Sequence, residues 1–258
     1  MPTEAELARK EGRSYETGDQ LLARVLVERR QSWTRKGEYQ EPSKPRAKLS
    51  PLPAGWTWAI VQQLNLANRP AAYGVLQPGE NVEDGVSLVR VGDINEGKID
   101  TRNLKRISAA VARQYLRTEL RGGELAITLV GAIGRTAIVP ETLAGGNTAR
   151  AVGIVPLTRL VSAHWIEMWF RNPSKMAAMV AKSHEVARKT LNLEDVRAAS
   201  IGIPPLVEQE RIVAEVERRL SVIEELEAVV EVDLQRAVRL RQSILERAFS
   251  GRLVNALD

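Results

Sequence analysis

Ile203-Pro204-Pro205-Leu206-Val207-Glu208-Gln209-Glu210-Arg211-Ile212-Val213 opens a run that holds neither glycine nor proline from Val207 to Ser250. Two prolines stand before the run and Gly251 follows it, the punctuation of a helix start and stop. At 1.5 Å per residue such a helix would be roughly 65 Å long, beyond an ordinary globular helix. Its apolar residues step by three and four: Val213, Val216, Leu220, Ile223, Val230, Leu234, Ala237, Ile244 and Ala248, broken at Glu227 and Arg241. That spacing is a heptad seam. A seam so long is not stable alone in water, so it calls for a partner helix.

Charge gives the partner a direction. Residues 206–233 carry nine acids and three bases, whereas 234–258 carry five bases and two acids. Acids first and bases last also complement the helix dipole, and a solvated face would look similar. The same asymmetry favours antiparallel pairing and opposes parallel pairing. A short amphipathic run, Asp19 to Lys36, has Leu21, Leu22, Val25, Leu26 and Trp33 on its apolar side, and Asp19 is placed to cap it. Its basic residues (Arg24, Arg29, Arg30, Arg35, Lys36) suit the acidic half of the long helix. The expectation is an antiparallel pair, within the chain or between two copies.

Working outward, composition divides the chain into a polar helical arm and linker (1–50), a glycine-containing region (51–205) and the long helix (206–258). The middle region reads as mixed α/β. Strands are expected at Trp56–Val61 and Val86–Val91, and a strand pair at Glu124–Val130 and Arg135–Val139 around Gly131-Ala132-Ile133-Gly134. Ser108 and Ser162 are placed to cap helices reaching Leu116 and Phe170, the second stopping before Asn172-Pro173.

The totals exclude several chemistries. The 258 residues include no cysteine, which removes disulfides, thiol catalysis and cysteine-based zinc sites. With His164 and His184 as the only histidines, a multi-histidine metal site is not expected. The N-terminus alternates charges without the apolar core of a signal peptide, and no stretch approaches a membrane span, so a cytoplasmic protein is expected. A net charge of +5 suits an anionic partner.

Catalytic motifs fail on inspection. Gly92-Asp93-Ile94-Asn95-Glu96-Gly97-Lys98 begins like a P-loop, but Ile99 stands where Ser or Thr must hold magnesium. Asp84, Glu96 and Lys98 superficially resemble the acidic set of a metal-dependent nuclease, yet short acidic-x-Lys matches are frequent by chance and the glycines suit a turn. Asn172-Pro173-Ser174 is not a methyltransferase loop, and no nucleophile-elbow pentapeptide is present. His184 sits amid Lys182, Arg188 and Lys189, which suits a solvated side chain better than a general base.

The remaining motifs, in order, resemble one family, the specificity subunits of type I restriction–modification systems. Leu52-Pro53-Ala54-Gly55-Trp56-Thr57-Trp58 resembles the opening motif of a target-recognition domain. Val89-Arg90-Val91-Gly92-Asp93-Ile94 and Gly123-Glu124-Leu125-Ala126-Ile127, with Gly134-Arg135-Thr136-Ala137, resemble the next two blocks. Ile203–Val213 is the strongest match, continuing to Leu240–Leu245 and Ala248–Val254. The resemblance implies an α/β (α+β) target-recognition domain followed by a coiled-coil helix. It also implies a non-catalytic subunit that reads double-stranded DNA and assembles with methyltransferase and restriction-translocase subunits. No cofactor is expected in this chain; methyl donor, ATP and magnesium belong to those partners. The family pattern has two recognition domains and this sequence has one, so a C-terminal half or a short form that dimerises is implied. An interaction module without DNA readout is the alternative, with a nuclease behind it.

On that reading the positive charge lies on the reader, since residues 51–205 hold eighteen bases and thirteen acids. Phosphate contacts need Lys, Arg and amides, whereas base edges favour Arg on guanine and Asn or Gln on adenine. Lys182, Arg188 and Lys189 are candidates to grip phosphate, with a solvated linker as the plain alternative. Arg135, Asn147, Arg150, Asn68, Arg69 and Tyr73 are further candidates. For Tyr73 a rim position on the core is an equal alternative, and Trp56 and Trp58 suit the core better than base stacking.

Overall fold

Thr3 and Thr17 set the first two helices. In the computed structural model, which describes residues 1–45, 49–95, 97–181 and 190–252, each opens a capping box. The Thr3 hydroxyl accepts from the Glu6 amide at 3.2 Å and the Glu6 carboxylate accepts from the Thr3 amide at 2.8 Å, starting α1 (Glu4–Glu11). Thr17 and Gln20 repeat the exchange to start α2 (Gly18–Gln31). Thr17 is therefore the cap expected at Asp19, which lies inside the first turn and meets the helix dipole there.

The chain then enters β1 (Thr57–Ile60), α3 (Val61–Leu64), β2 (Ala72–Tyr73) and β3 (Val86–Val89). A hairpin of β4 (Ile94–Asn95) and β5 (Lys98–Ile99) precedes β6 (Lys105–Ile107) and α4 (Ala109–Arg113). Next come β7 (Leu125–Thr128), β8 (Thr136–Ile138), β9 (Asn147–Thr148) and β10 (Val152–Val155). The remainder is α5 (Ala163–Arg171), α6 (Pro173–Ala181), α7 (Leu193–Ala198), β11 (Ser200–Ile203) and α8 (Leu206–Phe249). Ser108 and Ser162 cap α4 and α5 as expected, but α4 stops at Arg113 and a 3-10 turn at Leu116–Thr118 completes that segment. Asn172 ends α5 and at once starts α6, its side chain accepting from the amides of Ser174 and Lys175 at 3.0 and 3.2 Å.

β1 pairs antiparallel with β11, Thr57 opposite Ile203, so the first and last strands of the domain close on each other. The largest sheet runs β2-β10-β7-β8; a second runs β6-β3-β9, its β3–β9 pair parallel. The expected pair around Gly131 and Gly134 is the β7–β8 hairpin, both glycines at positive φ. One buried cluster gathers Val89, Ile94, Leu120, Ala126, Ala137, Val139, Leu143, Val152 and Ile154. Val75, Leu88 and Ile107 form a second cluster with Tyr115 and Ala149 against it. The segment resembling a P-loop is a 3-10 turn running into the β4–β5 hairpin, with no helix N-terminus to receive phosphate.

Two expectations about the arm are corrected. Met1–Arg211 is one compact unit, so residues 1–50 are not a separate arm; the chain from Ile212 onward forms the second unit. Leu21 and Val25 of α2 are buried, with β1 and α3 as its neighbours, so that apolar face is already occupied and does not wait for the long helix. Gly18 permits the approach, because a Cβ there would lie 2.2 Å from the Ile203 carbonyl oxygen. Glu4 carries a buried carboxylate that pairs with Arg13 at 2.5 Å and Arg211 at 3.0 Å. The Glu208 carboxylate accepts from the Glu4 amide at 2.9 Å and from Trp56 Nε1 at 3.1 Å. The first residues of α8 are thus bonded into the unit that contains α1 and β1.

α8 is a single helix of 44 residues, about 66 Å at 1.5 Å per residue, and Gly251 follows it at φ 71°. Val213 is buried and Val216 and Leu220 are half-buried. The remaining seam residues are open, with Ile223 48%, Val230 57%, Leu234 58% and Ile244 47% exposed. No helix among the described residues is long and apolar enough to cross a membrane.

Candidate nucleic-acid interface

Among the described residues, the candidate DNA contacts do not converge on one surface. Lys182, Arg188 and Lys189 lie outside the described residues, as do His184 and Glu96. Asn147, on β9, is 1% exposed and its amide is spent inside the fold. It accepts from Thr118 Oγ1 at 2.8 Å and the Thr148 amide at 2.9 Å, and donates to the Tyr115 carbonyl at 3.2 Å. Arg69 is similarly committed, pairing with the buried Glu124 at 2.5 Å and donating to the Glu119 carbonyl. Neither side chain is presented to a base.

Tyr73 lies on β2 and accepts from the Leu193 amide at 3.1 Å. It lines a hollow of about 390 Å³ with Glu194, Asp195 and Arg197, where the carboxylates oppose a phosphate. Arg135 is exposed at the β7–β8 hairpin and donates to the Ile94 carbonyl at 3.3 Å. Arg150 is exposed, and its side chain makes no hydrogen bond or ion pair among the described residues. Asn68 bridges two segments: it donates to the Ser32 carbonyl and accepts from the Thr34 amide at 3.0 Å.

That bridge forms one wall of a cleft of about 550 Å³. Ser32 and Arg35 come from the end of α2 and beyond, Leu66 to Pro70 from the loop after α3, and Leu116, Arg117 and Arg121 from the 3-10 turn and its exit. Four arginines line it (Arg35, Arg69, Arg117, Arg121) and no acidic side chain does. Glu124, behind it, holds the Arg69 guanidinium and also accepts from the Arg121 amide at 2.7 Å, fixing both segments. Arg117 and Arg121 are exposed and their side chains have no partner among the described residues. The Arg35 guanidinium lies 5.7 Å from the centre of the Trp33 ring, whose Nε1 donates to the Gly37 carbonyl at 3.1 Å.

A second basic hollow, about 600 Å³, is lined by Arg90, Arg102, Lys105 and Arg106. There each cation is already engaged: Arg90 with Asp93 at 2.9 Å, Arg102 with Asp100 at 2.6 Å, and Lys105 and Arg106 with the carbonyls of Gly79 and Gly85 at 2.5 and 3.2 Å. Arg102 holds the Asp100 carboxyl down to about 2, so this pair stays ionised and mutually satisfied at neutral pH. Availability therefore favours the first cleft. Sequence reading found two of its residues, Asn68 and Arg69, and missed Arg35, Arg117 and Arg121. Arg113, Arg117 and Arg121 recur every four residues, a usable signal, but whether each is paired depends on the tertiary fold.

Comparison with known structures fits this architecture. A structure from a study of complex assembly and conformational transition of the type I R-M system superposes with TM-score 0.57 at 17% identity, over 96% of this chain and 55% of that one. The HsdS subunit from Thermoanaerobacter tengcongensis gives TM-score 0.53 at 22% identity, over 68% of this chain and 44% of that one. At these identities the matches show the fold. The chain belongs to the specificity subunits of type I restriction–modification systems as a part-length relative. It is 39% identical over 203 residues to the type I restriction enzyme EcoBI specificity subunit of Escherichia coli, covering 78% of this chain and 43% of that protein. The EcoKI specificity subunit of Escherichia coli (strain K12) is 25% identical over 203 residues, 73% of this chain and 40% of that protein. The chain thus spans less than half the length of these curated relatives. No protein-family model matches it.

Proposed function

We propose that this chain is a DNA-recognition and scaffolding subunit of a type I restriction–modification complex, reading one half of a split site and performing no chemistry itself. The 39% identity to a named specificity subunit carries this reading. The unpaired arginines support it, because sequence-independent affinity for duplex DNA comes from cations on phosphates. Methyl donor, ATP and magnesium are then handled by methyltransferase and restriction partners. The exposed seam of α8 pairs, antiparallel, with a second copy or with the corresponding helix of a second recognition domain. A 44-residue helix also has the length to separate two half-sites.

The test is reconstitution with a cognate methyltransferase subunit, followed by mapping of methylated bases across a genome. Methylation confined to one short sequence context is expected. Binding and methylation without sequence preference would overturn the reading.

A further inference from the structure

We infer that the arginine-lined cleft between α2, the loop after α3 and the Leu116–Thr118 turn is a seat for the phosphodiester backbone of duplex DNA. Arg35, Arg117 and Arg121 are its phosphate contacts. This rests on the proposed DNA-reading function and locates its backbone grip.

Three observations lead to that chemistry. First, four arginines and no carboxylate line the cleft, so its lining carries a net positive charge even with Arg69 compensated by Glu124. Second, the arginines divide by role. Arg69 is internally compensated by Glu124, whereas Arg117 and Arg121 have no partner among the described residues. Long cationic side chains left unpaired beside one another repel, and an incoming anion relieves that repulsion. Third, the walls are built before any ligand arrives. Asn68 ties the loop after α3 to Ser32 and Thr34, Glu124 ties Arg69 to the Arg121 backbone, and Trp33 carries Arg35. The site therefore loses little loop entropy on binding.

The floor suits the sugar. Leu66 and Leu116 are exposed apolar side chains, and with Pro70 they offer a surface to deoxyribose between phosphates. No aromatic ring lines the cleft, so a stacked, splayed-out base has no platform there. A duplex backbone fits this combination better than a single-stranded segment.

The experiment measures affinity for duplex DNA against salt concentration, using the full chain with its methyltransferase subunit. Three forms are compared: Arg117→Gln with Arg121→Gln, the same pair changed to Lys, and Arg9→Ala with Lys10→Ala on the exposed face of α1 as an equal reduction of charge. The Gln pair should weaken cognate and non-cognate duplexes alike. Its plot of log affinity against log salt should be shallower by about 0.9 for each phosphate left without its arginine. The Lys pair should restore most of the slope, the α1 control should keep it, and the methylated sequence should not change. An unaltered slope in the Gln pair overturns the inference while DNA reading stands. So does an equal effect in the control, or a relaxed base position without a slope change. Failure of the unaltered complex to bind duplex DNA overturns the functional reading, and this inference with it.

Discussion

Glu124 and Asn147 show how side chains of DNA-reading type become structural. The Glu124 carboxylate is 3% exposed and neutralises Arg69 while accepting from the Arg121 amide. Removing it strands a guanidinium that is 11% exposed, so Glu124→Ala should cost about 3–5 kcal/mol. Arg150→Ala, at an exposed side chain without a partner among the described residues, should stay within about 0.5 kcal/mol. Urea unfolding of the two variants checks this; equal midpoints would show that losing Glu124 costs no more than losing an exposed side chain. Asn147 was legible as an adenine-reading type but not as a buried residue. Its burial arises because β9 pairs parallel with β3, a long-range register that no local pattern encodes. Arg117 and Arg121 were visible as a four-residue recurrence with Arg113 but not as unpaired, since being unpaired is a property of the surroundings. At this scale residue type announces what a side chain can do, and the fold decides whether it is available.

Single elements were more legible because their signals are local. The start and stop of α8 followed from Pro204-Pro205 and Gly251, and its observed ends, Leu206 and Phe249, lie one residue from the expected run. The β7–β8 hairpin followed from its two glycines. α2 was legible as a helix but not as to its neighbour, because an apolar stripe specifies burial without saying against what. Gly18 held the missing hint, as a glycine inside a helix often marks a close approach. Within α8, Glu215 makes an acid-sensitive contact. Hydrogen bonds from Arg218 and then Arg219 hold its carboxyl down to about 2 from the ordinary 4.5. A lowered value means that the folded form binds the proton less readily than the unfolded form. The contribution is thus complete above pH 4.5 and declines as pH falls toward 2. Glu215→Gln should melt below the unaltered chain at neutral pH and converge with it near pH 2, followed by circular dichroism. A carboxyl that titrates near 4.5 by NMR would contradict this.

At the scale of the molecule, a compact unit that ends at Arg211 is followed by a helix whose seam residues Ile223, Val230, Leu234 and Ile244 are about half exposed. Apolar side chains repeating on one stripe are costly to leave in water, and their burial contributes roughly 25 cal/mol per Å². The distribution of charge then selects the arrangement: an acidic first half and a basic second half attract when two such helices run in opposite directions. If the second helix comes from another copy, the pair has a two-fold axis, and two identical readers related by that axis meet DNA half-sites that are inverted repeats. The methylated sequence should therefore be a symmetric split motif. Val230→Glu with Leu234→Glu places four carboxylates in the shared seam of such a pair. It should convert dimer to monomer in sedimentation and abolish methylation at the split site, while a single half-site is still bound by the variant with its methyltransferase subunit. An asymmetric motif would show instead that a different recognition domain supplies the second half, and the seam variants would then lose that partner rather than a second copy.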